Sequence, residues 1–573
     1  MHALPARPLA PVPLDPDEGQ GPLGPLPDAP EEPRSRDGAV TVREHGSRMR
    51  ALMVQGKSPP AYWGYGHSLP FIGKDATHPP LGLATLAAHL PDTWELRIKD
   101  LHLGPVSDEE LRAADAVLVS GMLVQAPSMR ETLARAARLG KVTVAGGPAP
   151  TTSPAGFPEA RHVFQGEAEG RLDRLVDVLE HPDRAAERVL SPPGEARPSM
   201  ALSRVPRFDL LELKRYASMA VQVSRGCPFN CEFCDIIEMF GRVPRVKTPA
   251  QVLAELDALY ALGARGGLFI VDDNFIGNRK AAGRLLPELA RWQKEHGTPF
   301  DLYTEASLDL AGDDGLVRGL VEAGFSSVFV GLETPDPETL IKTQKKQNLR
   351  MDPALAIESL TRAGLEVFAG FIVGFDGDDE HALERQREFI SALPLPRAMI
   401  GVLTALPGTQ LWRRLEREGR LRAEATGDQF DRTNFQTTMP EEALVAGYRD
   451  LLASLFSADA FFSRCEKSLR MTPAGKGSGV RGESLATLVR SVWGIGIRGE
   501  ARRRRWFWRL LRVGLAQGTS GVARAVEFSI IGEHFIRYTA EEVVPRLERR
   551  LAEIRSAAAG AVQEGIAAGP ERG

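Results

Sequence analysis

Three of the four cysteines of this chain lie in one short stretch, "SRGCPFNCEFCDI", Ser224 to Ile236. Cys227, Cys231 and Cys234 are spaced C-x3-C-x2-C, whereas Cys465 is far downstream. A structural zinc site needs four ligands, normally from two paired knuckles, and no second C-x2-C or H-x3-H pair follows. A cubane [4Fe–4S] cluster held by three thiolates leaves one iron open to a ligand. The spacing therefore favours an iron–sulfur reaction site, with zinc completed by histidine or carboxylate as the alternative.

Two series of alternating strands and helices must position this stretch. Over residues 49–190, short apolar strands such as "RALMVQ", "AVLVSG" and "KVTVAGG" alternate with helical stretches. This pattern predicts a doubly wound, Rossmann-like parallel sheet, whose ligands lie past the carboxyl ends of the strands. Glycine in ordinary tight turns is the alternative explanation for the small residues found there. The candidate ligand-binding residues at these ends are Gln55, Ser120, Gly121, Gly146 and Gly147.

The second series covers residues 216–420 and contains six strand–helix units, from "MAVQVSR" to "RAMIGVLTALPGT". It predicts a partial (β/α)6 barrel of the TIM type. Residues 191–215 resemble a linker, and residues 421–573 are predicted to form a mainly helical domain, interrupted by "TPAGKGSGVRGES". The proline- and acid-rich residues 1–48 are predicted to be a disordered arm.

Carboxylates recur where the barrel strands end. Catalytic residues of such barrels lie at the carboxyl ends of strands, and a carboxylate accepts charge-assisted bonds from an ammonium or a ribose diol. Each of these acids has an alternative interpretation as a helix cap or a surface residue. The candidates are Asp272, Asp273, Glu305 and Glu333.

The cysteine motif, with Phe233 before its last cysteine, resembles that of the radical S-adenosylmethionine enzymes. The resemblance implies that the three cysteines bind a [4Fe–4S] cluster whose fourth iron chelates the amino and carboxylate groups of S-adenosylmethionine. It also implies that the second-strand acids face the methionine amino group and that Glu333 faces the ribose. "GFIVGFDGDD" is similar to the glycine motif near adenine, which assigns Gly370 and Gly374 to S-adenosylmethionine and places Asp378 where a glutamate is usual.

A doubly wound domain in front of such a barrel resembles the cobalamin-binding branch of that family. "PPLGL", "GEAE", "SRGC", "VDDNFIGN", "GLETP" and "GEHF" are similar to motifs of the hopanoid C-methylases within it. The resemblance implies a cobalamin-dependent methyltransferase acting on an unactivated carbon of a lipid-like (hopanoid or terpenoid) or other natural-product substrate. A 5′-deoxyadenosyl radical would take a hydrogen atom from the substrate, methylcobalamin would supply the methyl group, and a flavodoxin or ferredoxin would supply electrons.

One departure from the family pattern concerns cobalt. The common motif D-x-H-x-x-G would place a histidine on the metal, but Asp100–Leu–His102–Leu–Gly104 is one residue short. We therefore expect His102 to be a loop residue and cobalamin to bind without a protein nitrogen.

Two other functions remain open from the residues. The same cofactors could drive a cyclisation or rearrangement without methyl transfer. A non-catalytic cobalamin-binding regulator is the second alternative, although it would not need the cysteine motif.

Composition limits the partners and the compartment. The net charge of −4 argues against a nucleic-acid partner, and no uncharged apolar run reaches the ~18 residues that span a bilayer. The start of the chain lacks a basic segment followed by an apolar one, so we expect a cytoplasmic protein. Arg502–Arg505 beside Trp506–Trp508 predict peripheral contact with an anionic membrane. The alternative is an ordinary helix with buried aromatic residues and solvated arginines.

Overall fold

The computed structural model describes residues 48–184, 187–190, 197–430, 432–474 and 484–567. Residues 1–47 of the predicted arm and most of the predicted glycine-rich linker in the C-terminal region lie outside these ranges. The described residues from Met49 onward form one compact unit.

The first domain contains a six-stranded, fully parallel sheet, which confirms the predicted doubly wound architecture. Its strand order is β2-β1-β3-β4-β5-β6, so the direction of winding reverses between β1 and β3. The strands are β1 (Arg50–Gln55), β2 (Glu95–Asp100), β3 (Ala116–Ser120), β4 (Val142–Gly146), β5 (His162–Phe164) and β6 (Val189–Leu190). The helices are α1 (Leu69–Ile72), α2 (Leu81–His89), α3 (Asp108–Ala113), α4 (Ala126–Arg138), α5 (Pro148–Thr152) and α6 (Asp173–Glu180).

Both faces of this sheet are buried, because alternate strand residues point to opposite sides. Met53 belongs to an apolar cluster with residues of α2 and α6. Its neighbours Leu52 and Val54 belong to a second cluster, with residues of α3 and α4. The sheet edge past Gln55 and Ser120 is therefore the topological switch point at which such folds bind ligands.

The second domain is a curled six-stranded parallel sheet, which confirms the predicted partial barrel. Its strand order is β14-β13-β12-β11-β10-β7. Its strands are β7 (Ser218–Val221), β10 (Gly266–Ile270), β11 (Phe300–Ala306), β12 (Phe325–Glu333), β13 (Glu366–Val373) and β14 (Ala398–Val402), and β8 (Ser224–Arg225) with β9 (Arg245–Val246) forms a small antiparallel ribbon. The helices are α7 (Ile236–Met239), α8 (Pro249–Ala261), α9 (Arg279–Glu295), α10 (Asp314–Glu322), α11 (Pro337–Lys342), α12 (Pro353–Ala363), α13 (Ala382–Ala392) and α14 (Gln410–Arg417).

Several inward-facing side chains of this barrel remain partly accessible to solvent. Along β11 every second residue is buried, and the alternate ones, Asp301, Tyr303 and Glu305, are only half-buried. Phe329 on β12 and Ile372 on β13 are half-buried in the same way, whereas their strand neighbours are buried. Since barrel interiors are usually packed with branched side chains, this pattern indicates an accessible chamber inside the sheet.

The C-terminal region is helical, as predicted, and it completes the core on the outside of the barrel. Phe461, Phe528 and Phe535 share one buried apolar cluster with the barrel residues Val328 and Val367. The helices are α15 (Glu441–Leu455), α16 (Ala458–Met471), α17 (Ser484–Ser491), α18 (Ala501–Leu515), α19 (Gly518–Tyr538) and α20 (Val544–Ala567), with π-helical turns at Val492–Ile497 and Thr539–Val543. None of the helices described is both long and apolar enough to cross a membrane.

The segment between β1 and α2 leaves the first domain and runs against the other two. Tyr62 is fully buried and stacks on Phe535 of α19 at 5.1 Å between ring centroids. The backbone amides of Ala217 and Ser218 donate to the carbonyls of Ala76 and Thr77 at 2.9 and 3.0 Å. This segment therefore pairs with the start of β7, the edge strand of the open barrel.

Candidate active site

The cysteine loop begins directly after β7 and the ribbon strand β8, at the carboxyl edge of the barrel. Cys227, Cys231 and Cys234 are all free thiols. Gly226 has a φ of +101°, and a Cβ there would lie 2.8 Å from the carbonyl oxygen of Gly241. The turn that leads into the first cysteine therefore requires glycine.

Two amide side chains are aimed at the sulfur atoms, and the sequence reasoning identified neither. Gln347 donates to the Cys231 Sγ at 3.5 Å, and Asn274 donates to the Cys227 Sγ at 3.9 Å. Burial raises the pKa of Cys227 and of Cys234, so these thiols favour the neutral form, and metal binding would release their protons. Three free thiols with amide donors around them fit an iron–sulfur cluster, whose potential depends on hydrogen bonds to sulfur.

Cys465 is separate from this loop. It is fully buried in the apolar core around α16, where burial raises its pKa well above the usual value. Among the described residues, no group of three or more His, Cys, Asp or Glu side chains is arranged to hold a single metal ion.

The two acids at the end of β10 hold the cysteine loop in place. Asp272 accepts hydrogen bonds from the Val223 amide at 2.7 Å and from the Ser224 hydroxyl at 2.6 Å. Asp273 accepts one from the Gly226 amide at 3.0 Å. Burial raises the pKa of each carboxyl to about 6. Both oxygens of Asp272 are thus occupied by the protein. Among the described residues no backbone amide donates to the second oxygen of Asp273, which we expect to face the ammonium group of the ligand.

Glu333, at the end of β12, pairs with a lysine that sequence reasoning also missed. Lys345 donates to Glu333 at 2.7 Å, and a Cβ on Gly331 would lie 2.9 Å from the lysine Nζ. Burial lowers the pKa of Lys345, but Glu333 and the thiols of Cys231 and Cys234 outweigh it, so this pKa is raised. A fixed ammonium therefore lies between the cysteine loop and the interior of the barrel.

The backbone of Glu333 is strained at this point. Its φ is +66°, in the left-handed region, and the register between β12 and β13 shifts beside it. A glutamate gains nothing locally from this conformation, and such strain is typical of functional sites.

Glu305 extends from β11 into the chamber. Burial, together with the nearby carboxyls of Asp273 and Asp272, raises its pKa to about 8. The group is therefore largely neutral at pH 7, and a cation bound beside it would favour its ionised form.

The glycine motif at the end of β13 is shaped by neighbouring side chains. A Cβ on Gly370 would lie 2.8 Å from the Phe329 ring, so the ring occupies the space that a side chain would fill. Gly374 has a φ of +92°, and its amide donates to Asp378 at 2.7 Å. Asp378 thus caps the turn, and the assignment of Gly370 and Gly374 to adenine stays a prediction.

The predicted cobalamin-binding residues lie side by side at the carboxyl edge of the first sheet. Gln55 pairs with Ser120, and Ser120 pairs with Gly146, in adjacent strands. A Cβ on Gly121 would lie 2.6 Å from a side-chain oxygen of Gln125, and one on Gly147, whose φ is +92°, would lie 2.4 Å from the Ser120 hydroxyl. Packing of the loops alone therefore requires these two glycines, and their role in cobalamin binding stays a prediction.

His102 has both ring nitrogens engaged. Its Nε2 accepts a hydrogen bond from the Ser58 amide at 3.1 Å, which leaves Nδ1–H to donate to Asp100 at 2.8 Å. This pairing fixes the tautomer and leaves no nitrogen lone pair for a metal.

Comparisons with known proteins agree with this geometry. Residues 75–176 match the B12 binding domain, residues 221–390 match the radical SAM superfamily, and residues 409–547 match a domain of unknown function, DUF4070. The first two matches lie within the predicted domains 49–190 and 216–420, whereas the third begins ahead of the boundary predicted at residue 421.

The chain is 34% identical to the hopanoid C-2 methylase of Rhodopseudomonas palustris (strain TIE-1), over 86% of this chain and 94% of that protein. The chain belongs to the family of cobalamin-dependent radical S-adenosylmethionine methyltransferases. It is also 39% identical to an uncharacterized methyltransferase of Synechocystis sp. (strain ATCC 27184 / PCC 6803 / Kazusa), over 86% of this chain and 92% of that protein. The radical S-adenosylmethionine enzyme OxsB with aqua-cobalamin bound has the same fold, with a TM-score of 0.55 at 14% identity over 88% of this chain and 81% of that chain.

This C-methyltransferase therefore uses a [4Fe–4S] cluster, S-adenosylmethionine and cobalamin. When bound, these groups supply hydrogen-atom abstraction from carbon and a methyl group for the carbon that has lost hydrogen. We expect the three thiols to hold the cluster, with the acids at the end of β10 fixing their loop beside the chamber.

Replacing any one of Cys227, Cys231 and Cys234 by alanine should abolish cluster assembly, because one iron of the cubane would lose its only protein ligand. Iron and sulfide analysis and the visible spectrum of anaerobically reconstituted protein measure this. Cys465→Ala is the matched control, and it should retain wild-type iron content. Equal iron content in Cys227→Ala and wild type would falsify the assignment.

Cobalamin should bind with no protein nitrogen on cobalt, because both nitrogens of His102 are engaged. The electron paramagnetic resonance (EPR) spectrum of the cobalt(II) form should lack nitrogen splitting from the protein and should be the same in His102→Ala. A splitting that disappears in this variant would show that the imidazole leaves Asp100 to bind the metal.

Proposed function

We propose that the enzyme adds a methyl group to an unactivated carbon of a lipid-like, polycyclic substrate, a hopanoid or a related terpenoid. The hopanoid C-2 methylase named above supports this class, and a hopanoid C-3 methylase of Methylococcus capsulatus (strain ATCC 33009 / NCIMB 11132 / Bath) is 27% identical over 44% of this chain and 49% of that protein. The observation that carries the proposal is the chamber within the barrel.

Aromatic side chains line this chamber. Phe269 and Tyr303 stack face to face at 4.9 Å, and Trp63 meets Phe329 edge to face at 5.5 Å. Trp63 comes from the segment between β1 and α2 and remains 42% exposed. A flat, apolar molecule gains most from burial against such rings, because aromatic faces offer large apolar area in a fixed geometry.

The wall beside β7 carries a polar group within these apolar surroundings. Tyr303 donates to the Ser218 hydroxyl at 2.9 Å, and the Nε2 of His78 lies 2.6 Å from the Tyr303 oxygen. Since Tyr303 uses its proton on Ser218, His78 is the donor in the second bond. Burial lowers the pKa of His78 to about 4, so the ring is neutral, with Nδ1 as an acceptor. We infer that this acceptor orients a hydroxyl-bearing or otherwise polar part of the substrate.

The acidic edge of the chamber faces the cysteine loop. Glu305, Glu333 and Lys345 offer a neutral acid, a carboxylate and an ammonium to the zwitterionic S-adenosylmethionine, whose charges they complement. In this proposal an external flavodoxin or ferredoxin delivers the electron to the cluster.

We further propose that the enzyme meets its substrate at the surface of an anionic bilayer. The structure changes which residues support this contact. Phe507 is buried, Trp506 donates to Asp459, and Arg503 pairs with Glu533, so half of the patch predicted from the sequence packs inward. For these inward-facing residues, the alternative given in the sequence analysis, an ordinary helix with buried aromatic residues, is the better description.

The outward-facing half is broader than predicted. Four apolar residues spaced four apart are exposed along α17 and its π-helical turn: Leu485, Val489, Trp493 and Ile497. On α18 the exposed residues Arg505, Trp508, Arg512 and Leu515 form a second row, and Trp508 donates to the Gly496 carbonyl at 2.9 Å, which joins the two rows.

The charge of this surface suits anionic headgroups. Residues 484–515 contain eight arginines and one glutamate. Apolar and aromatic side chains flanked by arginines fit the interface of an anionic membrane. The same helices pack against Phe71 and Ile72, which follow Trp63 of the chamber in the chain.

Incubation with methyl-deuterated S-adenosylmethionine and a hopanoid should yield a product carrying an intact trideuteromethyl group, detected by mass spectrometry. A rearranged product without deuterium would indicate the cyclisation or rearrangement chemistry instead. Formation of 5′-deoxyadenosine without any change of the hopanoid would show that the substrate class is wrong, while the radical chemistry stands.

The wild-type protein should sediment with phosphatidylglycerol vesicles at low salt and lose this binding as salt rises. Arg505→Gln with Arg512→Gln should weaken binding about thirtyfold, since each arginine near the surface contributes about 1 kcal/mol. Arg284→Gln with Arg318→Gln, two exposed arginines of the barrel helices, is the charge-matched control and should bind as wild type. If wild-type protein stays in the supernatant at low salt, membrane capture is wrong and a water-soluble natural product becomes the better substrate class.

A further inference from the structure

A buried ion network joins the cobalamin-binding domain to the cysteine loop. Arg225, two residues before Cys227, donates to Glu167 at 2.7 Å and forms a two-pronged pair with Glu169 at 2.8 and 2.9 Å. The side chains of Glu167 and Glu169 are only 6% and 2% exposed, and that of Arg225 is 13% exposed. Both acids come from the "GEAE" stretch after β5, and the arginine comes from "SRGC".

A second arginine completes the network from the other strand of the ribbon. Arg245 on β9 forms a two-pronged pair with Glu167 at 2.8 and 3.0 Å, and it donates to the Pro198 carbonyl at 2.6 Å. Arg245 and Arg225 are paired residues of the β8–β9 ribbon. Four charged groups thus fasten the base of the cysteine loop to one loop of the other domain.

That loop also contacts the edge at which cobalamin is expected. The Gly166 amide donates to the Thr151 hydroxyl at 3.1 Å, and this hydroxyl donates to the Gly147 carbonyl at 2.7 Å. Gly147 begins the loop after β4, at the carboxyl edge of the first sheet. A continuous set of hydrogen bonds therefore runs from the candidate cobalamin edge to the residue that precedes Gly226 and Cys227.

We propose that Glu167, Glu169, Arg225 and Arg245 are positioning residues that set the separation and orientation of the cluster relative to cobalamin. Their charged groups pair with one another, and none of them donates to a cysteine sulfur among the described hydrogen bonds. They act through the ribbon, which carries the cysteine loop, and through the loop after β5, which carries one side of the cobalamin edge.

The physical reason lies in the burial of the charges. Removing one partner from a buried pair leaves an uncompensated charge, which is strongly destabilising, so the two domains have one favoured arrangement at this contact. The planar guanidinium groups add direction, because a two-pronged pair with a carboxylate defines a plane as well as a distance. Radical and methyl transfer to one carbon need such precision, since a misplacement of about 1 Å can cost about a hundredfold in rate.

The test uses the enzyme loaded with cluster and cobalamin, without substrate. The reduced cluster should speed the relaxation of the cobalt(II) EPR signal to a degree that depends on their separation. Glu167→Gln and Glu169→Gln should retain iron, cobalamin and slow 5′-deoxyadenosine formation. The EPR ratio is the microwave power that half-saturates the cobalt(II) signal with the cluster reduced, divided by that power with the cluster oxidised. In these variants the ratio should fall toward one. Loss of 5′-deoxyadenosine formation together with iron would instead indicate damage to the loop and would overturn a purely positioning role.

Glu533→Gln is the matched control. Glu533 is a similarly buried glutamate paired with an arginine, but both lie in the C-terminal helices, so the EPR ratio should stay at the wild-type value. Arg225→Lys keeps the charge and loses the planar guanidinium that makes two parallel hydrogen bonds, so its EPR ratio should lie between one and the wild-type value. This variant serves as the test if the glutamine variants fail to load cofactors. A wild-type ratio in Arg225→Lys and in the loaded glutamine variants would overturn the proposal.

Discussion

Several inward-facing positions of the barrel remain partly open to solvent, and this incomplete interior determines where the core of the protein lies. A barrel of this type normally gains much of its stability from the side chains that fill it. Here several inward positions carry glycines or half-buried aromatic or acidic residues, so this packing is incomplete, although Phe368 and Glu366 near the start of β13 are buried. The apolar core lies outside the sheet instead, where Val328 and Val367 join Phe461 and Phe535 of the C-terminal helices. The helical region is thus part of the core of the catalytic domain.

The same region determines how the chamber is bounded. His534 of the "GEHF" stretch contacts the carbonyls of Ala61 and Tyr62 at 3.1 and 3.0 Å, and Tyr538 donates to the Pro60 carbonyl at 2.6 Å. These contacts hold the segment that brings Trp63 and His78 to the barrel. A segment of the cobalamin-binding domain therefore forms a chamber wall because helices at the far end of the chain fix it. All three domains contribute to one site.

Charge placement around the cysteine loop follows from low local dielectric. Ionised groups taken from water must be paired or become neutral. Asp272 is satisfied by the backbone and by Ser224, Glu333 is paired with Lys345, and Glu305 is held largely neutral by burial. Asp273, which accepts one backbone hydrogen bond through one oxygen, and Lys345 then offer opposite charges where we expect the zwitterionic end of S-adenosylmethionine. Interactions that stabilise the loop are the same ones that shape its electrostatics.

Local patterns determined much of this protein in advance. The cysteine spacing, the strand alternation and the position of acids at strand ends depend on residues within about one strand or one turn of each other, and their geometry follows from chain periodicity. The doubly wound sheet, the partial barrel, the helical C-terminal region and the loop after β7 were all predictable for this reason. The shortened motif around His102 was equally local, and the structure shows the imidazole engaged with Ser58 and Asp100.

Tertiary structure alone decided which partners these residues have. The contacts of Gln347 with Cys231, of Glu169 with Arg225 and of Trp63 with Phe329 join residues that lie 56 or more positions apart. No periodicity links them, because they depend on how two sheets and a helical region pack. The exposed rows on α17 and α18 were hidden for the same reason: a run of arginines and aromatic residues does not show which side packs inward. Residue types and their local spacing set which chemical groups are available, whereas the packing of the two sheets and the helices sets which groups meet.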